Sequence, residues 1–319
     1  MNSLRPKVLV TGGAGFIGSN FVDMLVASGI YEVSVVDSLS YAGNLDNLRE
    51  IIGNITFHKI NITDIHNLEQ IFVKNKFDYV VHFAAESHVD NSLRDPSVFV
   101  LTNVLGTQTL LDLSRKYEVG KFLHISTDEV YGSIDNGSFA ENSPFNPSSP
   151  YSASKAGAEH LVNAAYVTFG LPINIVRCSN NYGQRQHKEK LIPLTINSIM
   201  ENKQIPIYGN GNNRREWIHV ADCCEAIKLV MELGEPGEIF NISSEIEYDN
   251  LTLVGFILEI MNASSSLIKY VEDRKGHDYR YSVDSSKLRS KYKWHPKFEI
   301  MPGLEKTIEW YLSNNGRVK

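Results

Sequence analysis

Cysteine is scarce in this chain of 319 residues. The three cysteines are Cys178, Cys223 and Cys224, and they show neither a CxxC pair nor the Cys/His spacing of a metal site. Because an odd and small number of cysteines does not build a disulfide framework, the composition indicates a reducing compartment. Cys223 and Cys224 fall in an apolar run with helical character, so we expect them in the core, and we expect no metal site.

Long apolar runs and an excess of positive charge are also missing. No segment reaches the roughly 18 uninterrupted apolar residues that a membrane-spanning helix needs. The first apolar segment, residues 7–11, runs straight into glycines and is too short for a signal peptide. The formal net charge of −6 gives no electrostatic reason for a nucleic-acid or anionic-membrane partner. These absences predict a cytoplasmic protein that binds neither nucleic acids nor membranes.

Apolar residues make up 42% of the chain, which is enough for a large core, and over the first half they alternate between strand and helix patterns. Short segments rich in Val, Ile and Phe predict strands at residues 7–11, 32–37, 55–60, 78–84, 121–126 and 173–178. The segments between them predict helices at residues 16–27, 65–72, 98–116 and 153–169. This alternation is typical of an α/β protein with a Rossmann-like, doubly wound parallel sheet.

The pattern changes after residue 178. Predicted helices at residues 190–200, 220–233, 251–261 and 302–311 are separated by short extended pieces at 205–208 and 238–242. We therefore expect a dinucleotide-binding domain with the catalytic residues over 1–178. Residues 179–319 are expected to form mainly a smaller mixed substrate-binding lobe, with some segments returning to the main sheet.

A glycine-rich motif opens the first predicted helix. Its glycines allow a tight turn, let the backbone approach a pyrophosphate, and let the helix pack close to the strand. Asp37 ends the second strand 19 positions after Gly18, where an acid binds ribose hydroxyls and repels a 2′-phosphate. The motif predicts an NAD site, and the alternative is a glycine turn without a cofactor. The motif residues expected at the cofactor are Gly12, Gly15, Phe16, Ile17 and Gly18.

Two further positions are candidates for cofactor contact. Asp64 follows the third strand, where an acid can contact adenine, but it fits equally well as the cap of the helix that follows. Ala84 and Ala85 end the fourth strand, and small side chains there let a cofactor lie against the strand end.

Tyr151 and Lys155 are four positions apart at the start of a predicted helix, so their side chains share one face. A lysine beside a tyrosine favours the phenolate and lowers the tyrosine pKa. The tyrosine can then act as a base on a sugar hydroxyl that is being oxidised. Thr127 ends the fifth strand, and its hydroxyl can bond the same substrate oxygen. The combination indicates an extended short-chain dehydrogenase/reductase.

Asp128 and Glu129 follow Thr127 directly. A simple dehydrogenase or epimerase does not need two adjacent carboxyls there, whereas a dehydration does. Oxidation at C4 of a hexose makes the C5 proton acidic, so a base removes that proton while an acid protonates the departing C6 hydroxyl. The alternative is that Asp128 caps a turn and Glu129 is a solvated loop residue.

Four segments resemble the signature motifs of the dTDP-glucose 4,6-dehydratases, and they follow the order of that family. They are residues 84–90 (AAESHVD), 125–132 (ISTDEVYG), 149–155 (SPYSASK) and 178–183 (CSNNYG). The resemblance extends over nearly the whole chain. It implies Tyr151 as the base for C4 oxidation, assisted by Thr127 and Lys155, with Asp128 as the acid at C6 and Glu129 as the base at C5. NAD would be reduced and reoxidised within each turnover.

The resemblance also implies substrate contacts. Arg215 suits a diphosphate because guanidinium forms paired hydrogen bonds to phosphate oxygens, but only the resemblance favours it over Arg214. The chain departs from the family pattern at Gln184, Glu216 and Lys275, near the expected nucleotide and sugar pocket, so the base (thymine or uracil) and the sugar stay open. The implied substrate residues are Ser87, Thr127, Asn180, Lys190, Leu191, Pro206, Ile207, Tyr208, Arg215, Asn250, Arg274 and His277.

Other functions on the same fold are the alternatives. UDP-glucuronate decarboxylases carry Thr-Ser-Glu where Thr127-Asp128-Glu129 stands, and 4-epimerases usually lack both acids, so Asp128 favours dehydration. A non-catalytic NAD(H)-sensing protein would be free to lose Thr127, Tyr151 or Lys155, all of which are present. The resemblance further implies a homodimer that packs the helices near 98–116 and 153–169 against their copies.

Overall fold

The computed structural model describes residues 5–274 and 276–314, so Lys275 lies outside the described residues. The strands, numbered along the chain, are β1 (Lys7–Thr11), β2 (Glu32–Asp37), β3 (Ile55–Lys59), β4 (Tyr79–His82), β5 (Lys121–Thr127), β6 (Ile173–Cys178), β7 (Asn180–Tyr182), β8 (Ile205–Tyr208), β9 (Arg214–His219), β10 (Ile239–Ile242), β11 (Glu247–Asp249) and β12 (Ile268–Val271).

The α-helices lie between these strands and after them. They are α1 (Phe16–Ser28), α2 (Ile65–Lys74), α3 (Val89–Arg94), α4 (Pro96–Phe99), α5 (Gly106–Lys116), α6 (Pro150–Phe169), α7 (Leu191–Met200), α8 (Val220–Leu233), α9 (Asn250–Ile260), α10 (Ser286–Tyr292) and α11 (Ile300–Ser313). A π-helical segment, Val100–Leu105, joins α4 to α5. Within residues 5–274 and 276–314, none of the helices combines the length and apolarity that crossing a bilayer requires.

The main sheet is parallel throughout, with the strand order β10-β6-β5-β4-β1-β2-β3. This is the doubly wound, Rossmann-like α/β fold that the strand–helix alternation predicts. The chain reverses its direction of travel across the sheet between β1 and β4. At such a reversal a crevice opens outside the carboxyl ends of the strands, and ligands bind there.

Helices cover both faces of the main sheet. On one face α1 and α8 pack on the sheet, and their buried side chains include Phe21, Leu25 and Ile227. On the other face α2, α5 and α6 contribute Leu68, Leu110 and Val162, which form one cluster with the sheet residues beneath them. Because apolar groups flank each central strand on both sides, these strands are apolar along nearly their whole length.

Segments after residue 178 divide between the main sheet and a smaller lobe. β10 adds to the edge of the main sheet beside β6, and α8 packs against α1. The smaller lobe holds the sheet β11-β9-β7 and the pair β12-β8. Its core lies around Trp217, where α7, α9 and α11 meet.

Cys223 and Cys224 lie in the core, as the sequence predicts, and Cys178 is buried beside them. Cys223 Sγ lies 3.6 Å from Cys178 Sγ, and all three cysteines are free and buried. Burial raises the pKa of the Cys224 thiol well above its usual range, and the neighbouring Cys223 thiol together with burial does the same for Cys178. Since the thiolate is the reactive form, these thiols are unreactive packing groups.

Candidate active site

The glycine loop between β1 and α1 forms the floor of a cavity. Gly12 has φ +70°, and a Cβ at this position would lie 2.5 Å from the Ala84 nitrogen. A Cβ on Gly18 would collide with the Gly12 carbonyl oxygen. Gly15 caps α1, so the free N–H groups of the first helical turn face the loop. Such a cradle fits a pyrophosphate, which helix N-termini bind through these N–H groups and the helix dipole.

Asp37 lies at the end of β2 beside this loop. Its carboxylate accepts hydrogen bonds from the backbone nitrogens of Ala14 (3.0 Å) and Leu39 (2.8 Å). Burial raises the pKa of Asp37, and the two backbone donors oppose that shift. The carboxylate is therefore fixed in orientation at the cavity wall, as recognition of a ribose diol requires.

The cavity has a volume of about 330 Å³ and runs from the ends of β2 and β3 to the start of α6. Every residue expected at the cofactor lines it except Asp64. The Asp64 side chain instead accepts a hydrogen bond from the Asn67 nitrogen at 3.2 Å and caps α2, which is the other role that its position allows. Ile60, Asn61 and Ile62, which directly follow β3, line the cavity where Asp64 was one candidate.

Asn103 is a buried residue of the π-helical segment that sequence reasoning did not identify. Its Oδ1 accepts from the Glu86 nitrogen at 2.8 Å, and its Nδ2 donates to the Glu86 carbonyl at 3.0 Å and to Ser154 Oγ at 2.8 Å. These bonds fix the loop that follows β4 against α6. The position of Ala84 and Ala85 thus depends on the helix that carries Tyr151.

Lys155 is buried, and its Nζ donates to the Ile125 carbonyl oxygen at 2.7 Å. Burial lowers the pKa of Lys155 to about 8. The pKa of Tyr151 differs from the expectation that Lys155 would lower it. Burial raises the pKa of Tyr151 well above its usual range, the charges of Glu129 and Asp128 add to this, and only the Thr127 side chain opposes it. Desolvation of the phenolate therefore outweighs the effect of the nearby lysine.

Thr127, at the end of β5, connects the two carboxyl-bearing residues. Its hydroxyl donates to Asp128 Oδ1 at 3.2 Å and accepts from the Glu129 nitrogen at 3.3 Å. The short 3₁₀ helix Asp128–Tyr131 begins here with Thr127 as its cap. This cap fixes both carboxyl-bearing residues at the end of β5.

The two carboxyls have different surroundings. Asp128 is 3% exposed, and burial, together with the negative charges of Glu129 and Glu216, raises its pKa well above its usual range. Burial also raises the pKa of Glu129, but Arg274, Lys190 and Arg215 oppose this shift. Asp128 therefore favours its protonated form and Glu129 is the better base, and such a separation is what splits acid and base roles between two carboxyls.

Glu129 faces a second cavity of about 200 Å³ between the main sheet and the smaller lobe. Gln186, Glu189 and Lys190 line both cavities, so the two spaces share a wall. Ser87 lines the first cavity, and Thr127 is buried and lines neither cavity. The other residues expected to bind substrate all line the second cavity, and they are Asn180, Lys190, Leu191, Pro206, Ile207, Tyr208, Arg215, Asn250, Arg274 and His277.

Arg215 and Arg214 are neighbours with opposite surroundings. Arg215 is 5% exposed, lies in the cavity wall and stacks over the Tyr281 ring at 4.2 Å. Arg214 points outward and pairs with Glu247 at 3.0 Å. Of the two, only Arg215 can therefore reach a ligand in the second cavity. Tyr281 also lines this cavity, and no local pattern in the sequence singles it out.

Known proteins match this arrangement over nearly the whole chain. The family model described as GDP-mannose 4,6 dehydratase matches residues 9–307. A dTDP-glucose 4,6-dehydratase of Actinoplanes sp. is 45% identical over 316 residues, which cover 97% of this chain and 98% of that protein. The chain belongs to the nucleotide-sugar 4,6-dehydratase family.

Solved structures of similar proteins agree with this family assignment. The crystal structure of DesIV, a dTDP-glucose 4,6-dehydratase from Streptomyces venezuelae with NAD and TYD bound, is 46% identical with a TM-score of 0.95, over 97% of this chain and 98% of that one. A UDP-glucose 4-epimerase from Thermotoga maritima is 32% identical with a TM-score of 0.91, over 97% of this chain and 99% of that one. Since dehydratase and epimerase share the fold, the residues of the site must distinguish the reactions.

Proposed function

We propose that this protein catalyses the NAD-dependent dehydration of a nucleoside-diphosphate glucose to the 4-keto-6-deoxy sugar. The expected substrate is dTDP-glucose. The pair Asp128 and Glu129, beside Tyr151 and in unequal surroundings, carries the proposal. The nucleoside diphosphate would lie in the second cavity near Arg215, and the sugar would extend along the shared wall to Tyr151. We propose as well that residues 1–178 form the cofactor domain and that residues 179–319 form mainly the substrate-binding lobe.

NAD would lie in the first cavity on the glycine loop, with its adenosine ribose at Asp37 and its nicotinamide near Tyr151 and Lys155. When bound, NAD⁺ accepts a hydride from C4 and gives it back at C6, and its positive charge adds the stabilisation that the Tyr151 phenolate lacks in the protein alone. Lys155 is held by the Ile125 carbonyl and orients this end of the site.

Proton transfers divide among the protein side chains. Tyr151 Oη takes the proton of the C4 hydroxyl during oxidation, with Thr127 beside it. Glu129 removes the C5 proton, which the new C4 ketone makes acidic. Asp128 gives its proton to the C6 hydroxyl, which leaves as water. The raised pKa of Asp128 favours the protonated form that this role requires.

A nucleotide-sugar 4-epimerase is the second candidate, because the fold supports both reactions. Epimerisation uses the Tyr151 base but no acid at C6, so it leaves the buried Asp128 without a role. A charged group that is desolvated without a role only reduces stability. Dehydration therefore explains more of the site than epimerisation does, and UDP-glucuronate decarboxylation or NAD(H) sensing likewise leave Asp128 unexplained.

A product assay tests the proposal. Purified protein, without added reductant, is incubated with dTDP-glucose and UDP-glucose in parallel, and the products are read by mass and by the 4-keto chromophore in alkali. Loss of one water without net cofactor reduction is expected, faster for dTDP-glucose. Unchanged mass with an inverted sugar would make the protein an epimerase. If neither substrate reacts and UDP-glucuronate loses carbon dioxide, the decarboxylase alternative holds.

We also propose that the protein is a cytoplasmic homodimer. Its few and buried free cysteines suit a reducing compartment. Helix α4 with the π segment after it, and the end of α6, carry exposed apolar side chains that a symmetric partner would cover. They are Val98, Val100, Leu101, Leu105, Val167 and Phe169, which are 38–72% exposed.

A further inference from the structure

Residues 38–44, here called the strap, follow β2, and most of them line the first cavity. Both ends of the strap are held by backbone hydrogen bonds. The Leu39 nitrogen donates to Asp37 Oδ1 at 2.8 Å, and the Asn44 nitrogen donates to the Ala14 carbonyl oxygen at 3.0 Å. Leu39 has φ +54°, a left-handed conformation that persists in a residue with a side chain only where its surroundings impose it. The two ends are therefore fixed, and the position of the tip depends on other contacts.

Tyr41, at the tip of the strap, reaches the loop that follows β4. Its hydroxyl shares a hydrogen bond with Ser87 Oγ at 3.2 Å and accepts from the Ser87 nitrogen at 3.4 Å. Its ring lies edge-on to the His187 ring, with 5.5 Å between the centroids. Lys190 Nζ donates to the Ser87 carbonyl oxygen at 3.1 Å. The strap, the loop after β4 and the wall between the two cavities thus meet at Tyr41.

The order of the strands shows what lies beneath this contact. β1 lies between β2 and β4 in the main sheet, so a contact from the strap to Ser87 passes over the carboxyl end of β1. The glycine loop begins at that end and forms the floor of the cavity. The floor and the contact together enclose the part of the cavity where the pyrophosphate of NAD is proposed to lie.

The proposed dehydration needs such an enclosure. A hydride leaves the substrate at C4 and returns at C6, so the site must keep the same reduced cofactor through the elimination between the two steps. A simple dehydrogenase, in contrast, releases its reduced cofactor in every turnover. Closure by a segment of the chain is a common way to hold a bound molecule until a reaction is complete.

We propose that Tyr41 is a positioning residue that closes the strap on Ser87 and thereby retains the cofactor through the turnover. The proposal rests on the proposed dehydration and NAD site. Because the contact holds the strap rather than the cofactor, it slows both the entry and the release of NAD, and it leaves the dissociation constant nearly unchanged. A direct contact between Tyr41 and NAD would instead slow release alone.

Tyr41→Phe tests the closure, since it keeps the ring against His187 and removes the hydroxyl that joins Ser87. We expect both the entry and the release of NAD to become about three- to tenfold faster, the effect of one hydrogen bond. Release is measured from protein loaded with radiolabelled NAD into excess unlabelled NAD, and entry is measured with protein stripped of its cofactor. Tyr270→Phe is the control, because Tyr270 is 56% exposed on β12 and the described walls of both cavities leave it out. It should change neither rate.

The double variant Tyr41→Phe with Ser87→Ala tests whether the two side chains act through their shared bond. Ser87→Ala removes the Oγ that bonds Tyr41. If the bond holds the strap, the double variant releases NAD at about the rate of Tyr41→Phe alone. Rates of release that multiply in the double variant would mean that each hydroxyl acts separately, and they would overturn the closure.

Turnover gives an independent measurement. With dTDP-glucose and without free NAD, Tyr41→Phe should lose activity over successive turnovers sooner than the unaltered protein, because cofactor that escapes in its reduced form leaves the oxidised sugar without a hydride. Added NAD should restore the rate. Activity that declines at the same pace in both proteins would show that Tyr41 does not retain the cofactor.

The rates of NAD exchange decide between the remaining outcomes. Faster release with unchanged entry assigns Tyr41 to a direct contact with NAD and overturns the closure, and unchanged release overturns it as well. If the unaltered protein exchanges NAD but forms no dehydrated sugar, the proposed function fails, and the role of Tyr41 in retention through a turnover fails with it. If Tyr41→Phe then still exchanges NAD faster in both directions, the failure lies in the reaction and not in the closure.

Discussion

Asp128 and Glu129 are adjacent in the chain but differ in what surrounds them. The carboxyl of Asp128 turns inward, where Glu129 and Glu216 repel its negative form. The carboxyl of Glu129 faces the second cavity, where Arg274, Lys190 and Arg215 attract its negative form. The sequence predicts the pair and its chemistry. It does not predict the part that Glu216 plays, because Glu216 comes near the pair only through the pairing of distant segments.

Replacing Asp128 with Asn should separate the half-reactions. The amide cannot protonate the C6 hydroxyl, so elimination slows by about 10²–10⁴-fold, the usual contribution of a general acid. Oxidation at C4 does not need this proton and should continue. Reduced cofactor should therefore accumulate in a single turnover and be visible in the near-ultraviolet absorbance.

Glu129→Gln is the matched comparison for this experiment. It should also allow C4 oxidation, but it should abolish the exchange of solvent deuterium into C5, which Asp128→Asn preserves. The assignment of Asp128 as the acid is refuted if its variant builds up no reduced cofactor.

Asp128→Asn should also stabilise the protein at alkaline pH. The pKa of Asp128 is higher in the folded state than in the unfolded state, so its contribution to stability is present at low pH and lost as pH rises above about 4, the unfolded value. Removing the charge should raise Tm at pH 8, by roughly 2–4 °C for each kcal/mol relieved. The gain should shrink as pH falls towards 4.

Asp64→Asn is the control, because it should change Tm at pH 8 in the opposite direction. Its hydrogen bonds with Asn67 lower the pKa of Asp64, so its charged form stabilises the cap of α2 and the variant should lower Tm at pH 8. A lower Tm for Asp128→Asn at pH 8, or a gain in Tm that does not depend on pH, would contradict the conclusion that burial disfavours the charged Asp128 carboxylate.

At the scale of elements, the parts that could be predicted are those that carry their own pattern. Strands β1, β2 and β6 and helix α8 have the predicted bounds, because their apolar residues begin and end with the element. Helix α6 begins at Pro150, earlier than predicted, because Ser149 and Ser152 form a reciprocal cap that periodicity does not reveal. The predicted helix at 98–116 contains the π segment, in which the side chain of Asn103 bonds to Glu86 and Ser154, and helical periodicity reveals neither the segment nor these bonds.

Other elements depend on partners that are remote in sequence. β9 and β11 pair with each other across about thirty residues, and β8 pairs with β12 across about sixty. β8 has the bounds of the extended piece predicted at 205–208, whereas β9, β11 and β12 have little local signal and were not predicted from the sequence. Tyr281 and Gln186 line the second cavity, but no local sequence pattern identifies them. Asn61 lines the first cavity, although the sequence pointed to Asp64 as a candidate there.

The glycine loop offers a prediction at this scale. Gly18→Ala would push a methyl group into the Gly12 carbonyl oxygen and displace the turn between β1 and α1. We expect retention of NAD through gel filtration to fall at least tenfold, with the fold preserved in circular dichroism.

Gly255→Ala is the matched control for the loop. Gly255 lies inside α9, and an added Cβ there would meet nothing within 4 Å. Alanine should stabilise that helix by about 0.5–1 kcal/mol and leave NAD retention unchanged. Retention of NAD by the Gly18 variant at the level of this control would show that the loop does not carry the pyrophosphate.

For the whole molecule, the main question is how its exposed apolar helices are covered. Leu101 is 53% exposed in the π segment, beside the exposed Leu105 and Val98. If a second copy covers this surface, Leu101→Glu places a charge in the interface and should convert the dimer into a monomer at micromolar concentration. Gel filtration with light scattering gives the mass directly.

Leu233→Glu provides the comparison for the dimer surface. Leu233 is 55% exposed at the end of α8, away from the proposed interface, so its variant should remain a dimer. A monomeric parent protein, or equal masses for the two variants, would refute the proposed dimer surface.

The wall of Gln186, Glu189 and Lys190 between the two cavities also has a consequence for chemical inhibition. If the cofactor and the nucleoside diphosphate bind as proposed, a single compound that joins a nicotinamide riboside analogue to a nucleoside diphosphate would span this wall and occupy both cavities at once. Binding of one end then holds the other end at a millimolar effective concentration. The affinity of the joined compound therefore exceeds that of either part by about 10²–10⁴-fold without a new contact. Such a bivalent compound would bind most tightly to protein freed of its cofactor, so its design should begin from that form.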